Sequence, residues 1–320
     1  MNMKKLFFTT LVFAVICQLS TVNRLYAGVG TSGAQFLKIG VSANSSALGE
    51  AGAASSGAES VFINPAGLVG SDGMEIRASQ AMWLESINYS NIAFAKKIGD
   101  NALGVGINYL SVPAITKVDN TGTILADSYA PADMAVSLCY ARDFKALFAG
   151  ITLKYISSTL DDKTATAIAA DVGAQKVFKD QRFITGLAVQ NLGTTMKFNF
   201  EEDPLPLNVK LGGKYAIPFK NSEIDDNLNM SHGMNILVDI NSTNDTGFYT
   251  NAGAEYLRKF NESTSAAVRA GYKSSVTKGL TGSGISAGFG ISYQKYVLDY
   301  AYAPYGDLGQ TSRVSLSYKF

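Results

Sequence analysis

The carboxyl-terminal segment, residues 313–320, constrains the fold of this chain more than any other stretch. Apolar and polar side chains alternate along it, and the apolar set is Val314, Leu316, Tyr318 and Phe320. A period of two places successive side chains on opposite faces and predicts a half-buried strand. Soluble proteins rarely end on an exposed strand edge that carries a large apolar residue, because such an edge invites aggregation. A closed barrel pairs its last strand with its first, so we predict a barrel. The alternative is the terminal strand of a soluble sandwich.

The amino terminus has the charge, length and flanks of a secretory signal peptide. Lys4 and Lys5 precede an apolar stretch over residues 6–19, and small residues allow cleavage after Ala27. The apolar stretch is shorter than the 18 or more residues of a spanning helix, which disfavours an uncleaved anchor. A lipoprotein cysteine at Cys17 is disfavoured because bulky isoleucine precedes it. We therefore predict a cleaved signal peptide over residues 1–27.

Composition excludes several classes of function. The formal charge is +1 and no basic stripe occurs, which argues against nucleic acid as a partner. Only Cys139 remains after cleavage, so neither an internal disulfide nor a cysteine metal cluster is expected. Charged residues make up 17%, beside 31 glycines, 16 tyrosines and 17 phenylalanines. This balance is typical of a β-rich membrane protein with aromatic girdles.

From Met74 onward the sequence reads as one strand after another. A representative apolar set is Leu103, Val105, Ile107 and Tyr109, and the residues between them are Gly104, Gly106 and Asn108. Apolar residues facing lipid and small or polar residues facing the lumen are typical of a transmembrane barrel. A soluble sandwich would turn the same apolar face inward, and the periodicity alone does not distinguish the two.

The lengths of the repeats predict the size of the barrel. About 17 residues per strand and connection give about 14 strands over residues 74–320, with Thr194–Phe200 a doubtful additional strand. Short turns such as residues 99–101 alternate with longer polar stretches at residues 119–133, 221–232 and 274–284. We expect the short turns at one end of the barrel and the long stretches at the other.

Residues 28–73 differ from the strands because they are rich in glycine, alanine and serine. Asn64 followed by Pro65 suits a helix start, since asparagine accepts a hydrogen bond from an unpaired amide and proline tolerates the first turn. We predict short helices that form a lumen plug, or hatch, with Asn64, Pro65, Ala66, Gly67 and Leu68 as its motif. A solvated linker is the alternative.

The stretch from Phe36 to Leu68 resembles the start of PorV/PorQ family proteins. The resemblance to the family reappears at the segments 189–193, 205–207 and 298–309. That family is similar to the FadL-type long-chain fatty-acid channels, which carry an Asn-Pro-Ala element in an N-terminal hatch. The ending at Val314, Leu316, Tyr318 and Phe320 resembles the signal by which bacterial outer-membrane barrels are recognised for insertion. The resemblance covers essentially the whole mature chain.

The resemblance implies a protein of the bacterial outer membrane that is not an enzyme and carries no cofactor. Its expected partners are outer-membrane lipids and the barrel assembly machinery. One hypothesis is a channel that passes hydrophobic small molecules. In it a plug seals the lumen, an apolar pocket lies between plug and wall, and a gap in the wall lets the ligand leave sideways into lipid. Glycines such as Gly104, Gly106, Gly186 and Gly288 suit such bulges, or close packing around the plug. A second hypothesis is a PorV-like component of type IX secretion that binds secreted cargo proteins, and a third is a structural barrel without a ligand.

Motifs that would carry other chemistry are weak. His232 is the only histidine and lies in a polar stretch, where a solvated side chain is the default over a catalytic triad. Gly282-Ser-Gly-Ile-Ser-Ala287 fits a dinucleotide fingerprint, but a strand pattern follows where a helix is needed. Asp225, Asn227 and Asn229 have calcium-loop spacing without the required glycine. We predict no metal site and assign no ligand-binding residue.

Overall fold

The structure is a computed structural model that describes residues 31–145, 147–178, 181–219, 231–276 and 284–320. The predicted signal peptide, Asp225, Asn227, Asn229 and Gly282 lie outside the described residues. None of the helices within these ranges has both the length and the apolar character needed to cross a bilayer.

The helices are short, and most of them precede the first strand. Two α-helices, α1 (Ala43–Ala47) and α2 (Ser60–Ile63), lie between the 3-10 helices Gln35–Lys38 and Pro65–Gly70. Further 3-10 turns follow at Leu84–Ser86, Ser274–Val276 and Gly306–Leu308.

The remaining regular structure is β-strand. The strands are β1 (Met74–Met82), β2 (Asn88–Ile98), β3 (Asn101–Ser111), β4 (Ile115–Val118), β5 (Ile124–Tyr129), β6 (Ala132–Asp143), β7 (Leu147–Leu160), β8 (Lys163–Val177), β9 (Phe183–Gly193), β10 (Met196–Lys197), β11 (Glu202–Asp203), β12 (Asn208–Pro218), β13 (His232–Thr243), β14 (Gly247–Lys259), β15 (Thr264–Lys273), β16 (Ile285–Tyr293), β17 (Tyr296–Pro304) and β18 (Gln310–Lys319).

Fourteen of these strands form one closed antiparallel barrel, as predicted. Closure comes from β18 pairing with β1, with Tyr318 opposite Ile76, while Ile76 is also opposite Phe94 of β2. The Phe320 amide donates to the Met74 carbonyl at 2.9 Å. We call the rim that holds Met74 and Phe320 the terminal end, and the opposite rim the distal end.

The strands outside the barrel form two small hairpins at the distal end. They pair β4 with β5 and β10 with β11. The doubtful stretch Thr194–Phe200 supplies β10 and does not add a strand to the barrel.

The prediction that all long connections lie at one end is wrong for the stretch 221–232. Residues 221–230 lie outside the described part, but the flanking strands β12 and β13 meet at the terminal end, where Ile217 pairs with Met234. In an antiparallel barrel the end at which a connection lies depends on how many strands precede it. The length of the connection does not record that number.

The direction of the side chains follows the predicted alternation. Leu316 is 50% exposed on the outer face, whereas Ser315 and Ser317 are 1% exposed on the inner face. Exposed aromatic rings gather towards both rims. Towards the terminal end they include Tyr140, Phe183, Tyr215, Tyr256, Tyr293 and Tyr296, and towards the distal end Tyr109, Tyr155, Phe248, Tyr272 and Tyr302. An apolar outer band flanked by aromatic girdles is the surface of a barrel that faces lipid.

We expect an unboiled sample in a denaturing gel to migrate differently from a boiled one, because the closed backbone ladder has no free edge at which unfolding starts. Truncation after Gly309 removes β18 and should abolish the difference. Identical migration of boiled and unboiled full-length protein, together with solubility without detergent, would contradict the barrel.

Substitution of Phe320 by alanine should lower the amount of folded protein in the membrane. The ring is 57% exposed and packs edge-on against Tyr318 at 4.8 Å between centroids, so it projects from the closing strand without filling a core. Phe260→Ala is the matched control, because Phe260 is 61% exposed at the same rim but outside the closing strand. Quantitative blots of membrane fractions test this, and equal loss in both variants would count against a specific terminal signal.

Candidate functional site

Residues 31–73, which we call the inner segment, run through the barrel from the distal to the terminal end. Near its start, Gln35 Nε2 and Lys38 Nζ donate to Asp245 Oδ2 at 2.7 and 2.8 Å, in the turn between β13 and β14. Burial alone would raise the pKa of Asp245, but the hydrogen bonds from Lys38 and Gln35 outweigh it and hold the pKa below its ordinary value. The segment ends where β1 begins, at Met74.

Wall glycines let the inner segment approach the strands closely. A Cβ on Gly106 would overlap the Phe62 ring, one on Gly186 would overlap the Ala53 carbonyl oxygen, and one on Gly288 would lie 2.6 Å from Ala47 Cβ. The inner segment approaches the wall equally closely at Gly104, Gly150, Gly173, Gly253 and Gly271. Of the two roles considered for these glycines, close packing against the inner segment is the one the structure shows at Gly104, Gly106, Gly186 and Gly288.

Asn64 begins the second 3-10 helix as its sequence predicts. Its Oδ1 accepts from the Ala66 amide at 3.2 Å, and Pro65 occupies the first turn. The same side chain donates through Nδ2 to the Ala53 carbonyl at 2.6 Å. Asn64 is fully buried, as are Ala66 and Leu68. The predicted plug motif 64–68 therefore lies inside the barrel, where Pro65 faces Gly150 and Gly173.

Buried charges link the inner segment to strands β1, β15 and β17 of the wall. Arg77 of β1 lies 3.5 Å from Glu59 of the inner segment and 3.1 Å from Glu75. Arg77 also lies 3.8 Å from Asp299, which in turn pairs with Arg269 at 2.7 Å. Each of these charges has an opposite charge beside it, as buried ions require.

Asp239 of β13 holds the backbone of the inner segment directly. Its Oδ2 accepts from the amides of Gly52 and Ala53 at 2.7 and 2.9 Å, and Lys210 of β12 lies 3.7 Å away. A carboxylate that accepts from successive amides fixes the position of that stretch of chain.

The wall has a bulge in β9, within the segment 189–193 that carries part of the family resemblance. Gln190 and Asn191 together stand opposite Asp171 of β8, since the register steps from Leu192–Ala170 to Val189–Val172. Asn191 adopts a left-handed φ of 60°. A bulge disrupts the ladder locally and re-aims side chains.

The bulge turns polar side chains towards the lumen. Gln190 Nε2 donates to the carbonyls of Phe62 and Ile63, both at 3.0 Å. The Asn191 amide donates to Asp171 at 2.8 Å, and Lys154 pairs with that carboxylate at 2.6 Å. The bulge thus joins the wall to the inner segment just before the motif 64–68.

Two cavities border the described part of the inner segment. The inner cavity, about 60 Å³, lies between the inner segment and strands β9, β12 and β14, with Phe62, Gln190 and Tyr249 in its lining. The distal cavity, about 30 Å³, lies beneath Trp83 and Tyr305. Both are far smaller than the roughly 300–1,000 Å³ of typical ligand pockets.

Glu50 lines both cavities. It follows Gly49 in a left-handed turn with φ values of 62° and 64°, a region that costs a non-glycine residue free energy. The Glu50 carboxylate pairs with Lys273 at 2.5 Å, and its carbonyl accepts from Asn251 at 3.0 Å. A strained turn held by wall side chains therefore borders both cavities.

The predicted carboxyl-terminal set lies on the outer face of β18. Val314, Leu316 and Phe320 are exposed and Tyr318 is half-buried. His232 is the first residue of β13 and packs between the rings of Phe219 and Tyr256, with centroids 5.2 and 5.9 Å away. The polar stretch expected around it therefore gives way to an aromatic contact.

Sequence reasoning missed the lumenal charges Glu50, Arg77, Arg269 and Asp299. The alternation does assign some of them to the lumenal face, since Arg269 stands between Val268 and Ala270 on the polar face of its strand. That position predicts a lumenal side chain but not its partner.

Gly186→Ala should lower the free energy of unfolding by roughly 1–3 kcal/mol, because the added methyl group collides with rigid backbone at Ala53. Gly213→Ala is the control, since its Cβ would lie 3.2 Å from the movable Phe183 ring on the outer face. The stability of each variant is measured as the denaturant concentration at which its folded gel band disappears. Equal destabilisation by the two substitutions would contradict the close contact between Gly186 and Ala53.

No family model matches the chain, and no curated protein sequence is significantly similar to it. Solved structures do match. The toluene transporter TbuX of Ralstonia pickettii has a TM-score of 0.57 at 13% identity, over 88% of this chain and 98% of that one. The toluene transporter TodX of Pseudomonas putida gives 0.56 at 11% identity, over 87% and 96%. A FadL homologue of Pseudomonas aeruginosa gives 0.52 at 10%, over 88% and 98%. The chain therefore shares the fold of these barrels along nearly its whole described length.

Proposed function

We propose that this protein is a bacterial outer-membrane channel that passes hydrophobic small molecules. The observation that carries the proposal is the lumen itself, in which the inner segment packs against wall glycines and buried charges and borders the small inner and distal cavities. An open, water-filled pore is inconsistent with this packing. A path that opens when the inner segment moves is consistent with it, and solved barrels of the same fold are described as toluene transporters.

The outer surface supports the membrane setting of the proposal. An apolar band between aromatic girdles suits lipid as its partner. In this setting residues 1–27 would be removed as a signal peptide, residues 28–73 would act as the hatch, and residues 74–320 would form the spanning barrel. The terminal set Val314, Leu316, Tyr318 and Phe320 would be recognised by the barrel assembly machinery. Membership of the PorV/PorQ family belongs to the same proposal and rests on the sequence resemblance.

Transport requires the inner segment to move, and an engineered disulfide tests this. A Cβ on Gly33 would lie 3.4 Å from Asp203 Cβ, close to the roughly 3.5–4.5 Å of natural disulfides. The double variant Gly33→Cys, Asp203→Cys should tie the start of the inner segment to the β10–β11 hairpin. Toluene entry into proteoliposomes should fall to background when this variant is oxidised and recover on reduction.

Each single cysteine variant is the control and should transport under both conditions. Unchanged entry in the oxidised double variant, with the disulfide verified by mass spectrometry, would show that this end of the inner segment need not move. No entry in any form, wild type included, would count against the channel.

A second candidate is a PorV-like component of type IX secretion, and the β4–β5 hairpin favours it. This hairpin protrudes at the distal end and carries apolar side chains outside the barrel, with Ile124 74% and Val118 57% exposed. Exposed apolar groups on a water-facing loop suit a protein partner. Gentle extraction followed by mass spectrometry separates the candidates. Secreted proteins that share one C-terminal domain would favour secretion, and apolar small molecules without a protein would favour the channel. A structural barrel without a ligand predicts neither.

A further inference from the structure

At the terminal end, three strands of the wall finish their outer faces in a cation. Lys96 of β2, Arg142 of β6 and Lys176 of β8 are exposed, whereas the residue before each of them is buried on the inner face. Because successive side chains of a strand point to opposite faces, all three cations point outward. We call Lys96, Arg142 and Lys176 the terminal arc.

The terminal arc occupies one continuous part of the barrel, since β2, β3, β6, β7 and β8 are consecutive neighbours. One strand separates each cation from the next, which places them about 10 Å apart across the strands. The intervening strands present apolar residues at this level. Leu103 of β3 stands opposite Lys96, and Leu147 of β7 stands opposite Lys176.

No carboxylate compensates the terminal arc. Among the residues that the structure describes, none lies within ion-pair distance of Lys96, Arg142 or Lys176. The neighbour recorded for Arg142 is the Phe144 ring, whose centroid lies 5.6 Å from the guanidinium carbon. A ring face attracts a cation but carries no net charge to neutralise it.

The terminal arc also lies at the edge of the apolar outer band. Tyr140, two residues before Arg142, is 42% exposed, and Val172, four residues before Lys176, is 50% exposed. Long basic side chains at such an edge keep their methylene stems on apolar surface and extend the charge to the headgroup level. The groups that meet these charges in a membrane are therefore lipid headgroups.

The distal end has the opposite charge. Its exposed acids include Asp127, Asp161, Asp162, Glu201, Asp203 and Asp307. Of the lysines there, Lys117 pairs with Asp161 at 2.7 Å and Lys197 lies 4.0 Å from Glu202. An anionic headgroup is therefore favoured at the terminal end and disfavoured at the distal end.

We propose that the terminal arc binds the phosphate of an anionic phospholipid, whose acyl chains lie along the apolar outer faces of β3 and β7. The inference rests on the membrane setting of the proposed function and goes beyond the channel role. Phosphate oxygens accept charge-assisted hydrogen bonds from lysine and arginine, and arginine donates two in parallel. The occupied leaflet is the one at the terminal end.

Native mass spectrometry of the protein in a neutral detergent tests the proposal. The probes are dioleoylphosphatidylglycerol and dioleoylphosphatidylcholine, which share their acyl chains and differ in net charge. We expect wild type to bind the phosphatidylglycerol about fivefold or more tightly, since one basic residue near an anionic lipid surface contributes about that factor. Glycerol phosphate, which has the charge without the chains, should not displace the lipid.

The double variant Arg142→Gln, Lys176→Gln should lose most of this preference and bind phosphatidylcholine as wild type does. The matched control is Lys163→Gln, Lys197→Gln, which removes two exposed charges at the distal end and should keep the preference. The shift between boiled and unboiled samples verifies that each variant is folded. If the double variant does not fold, Arg142→Gln alone decides, with partial loss of the preference as the expected result.

Equal binding of the two lipids by wild type would overturn the proposal. So would a preference that survives in full without the cations of the terminal arc, or one that the distal control loses equally, which would trace it to overall charge. Displacement by glycerol phosphate would reduce the arc to a phosphate site without a lipid. Toluene entry into vesicles of phosphatidylcholine alone tests the channel separately, so these results leave the proposed function standing.

Discussion

The pairing of β18 with β1 is the constraint on which the rest of the structure depends. A strand that meets lipid must satisfy every backbone amide and carbonyl within the protein, because each unpaired group in hydrocarbon costs several kcal/mol. A sheet achieves this only by closing on itself, and here Tyr318 meets Ile76 to complete the ring. Closure also fixes the enclosed volume, which then has to be filled by water, by side chains or by another part of the chain.

The inner segment fills that volume in two physically different ways. Against β3, β7, β8 and β9, and again against β14, β15 and β16, it packs on wall glycines, where an added methyl group would collide. Against β1, β13 and β17 it meets charges, such as Arg77 beside Glu59 and Asp239 beneath the amides of Gly52 and Ala53. Packing of the first kind leaves little freedom. Buried ion pairs add less net stability but fix position and orientation.

This division bears on how a passage would open in the proposed channel. Motion of the inner segment away from a wall glycine exposes backbone, whereas exchange of one ionic partner for another keeps every charge compensated. Glu50 combines both kinds of contact, since Gly49 beside it packs on Gly271 while Lys273 and Asn251 hold the left-handed turn. It also lines both the inner cavity and the distal cavity.

The sequence by itself determined what depends on near neighbours along the chain. The alternation from Val314 to Phe320 gives a strand with one apolar face, and Asn64 before Pro65 gives a capped helical turn, because both depend only on local backbone geometry and side-chain direction. The spacing of the repeats gave about 14 strands. Glycine on the polar face of β3 predicted close approach or a bulge without deciding between them.

The tertiary structure alone decided what depends on residues far apart. It placed Val61 and Phe62 against Gly104 and Gly106, put the stretch 221–232 at the terminal end, and formed the bulge at Asn191. It also gave Arg269 its carboxylates and left Arg313 without one. The alternation marks both arginines equally as lumenal. Which charge lies opposite which depends on strand order and register around the closed ring, and no local pattern records either.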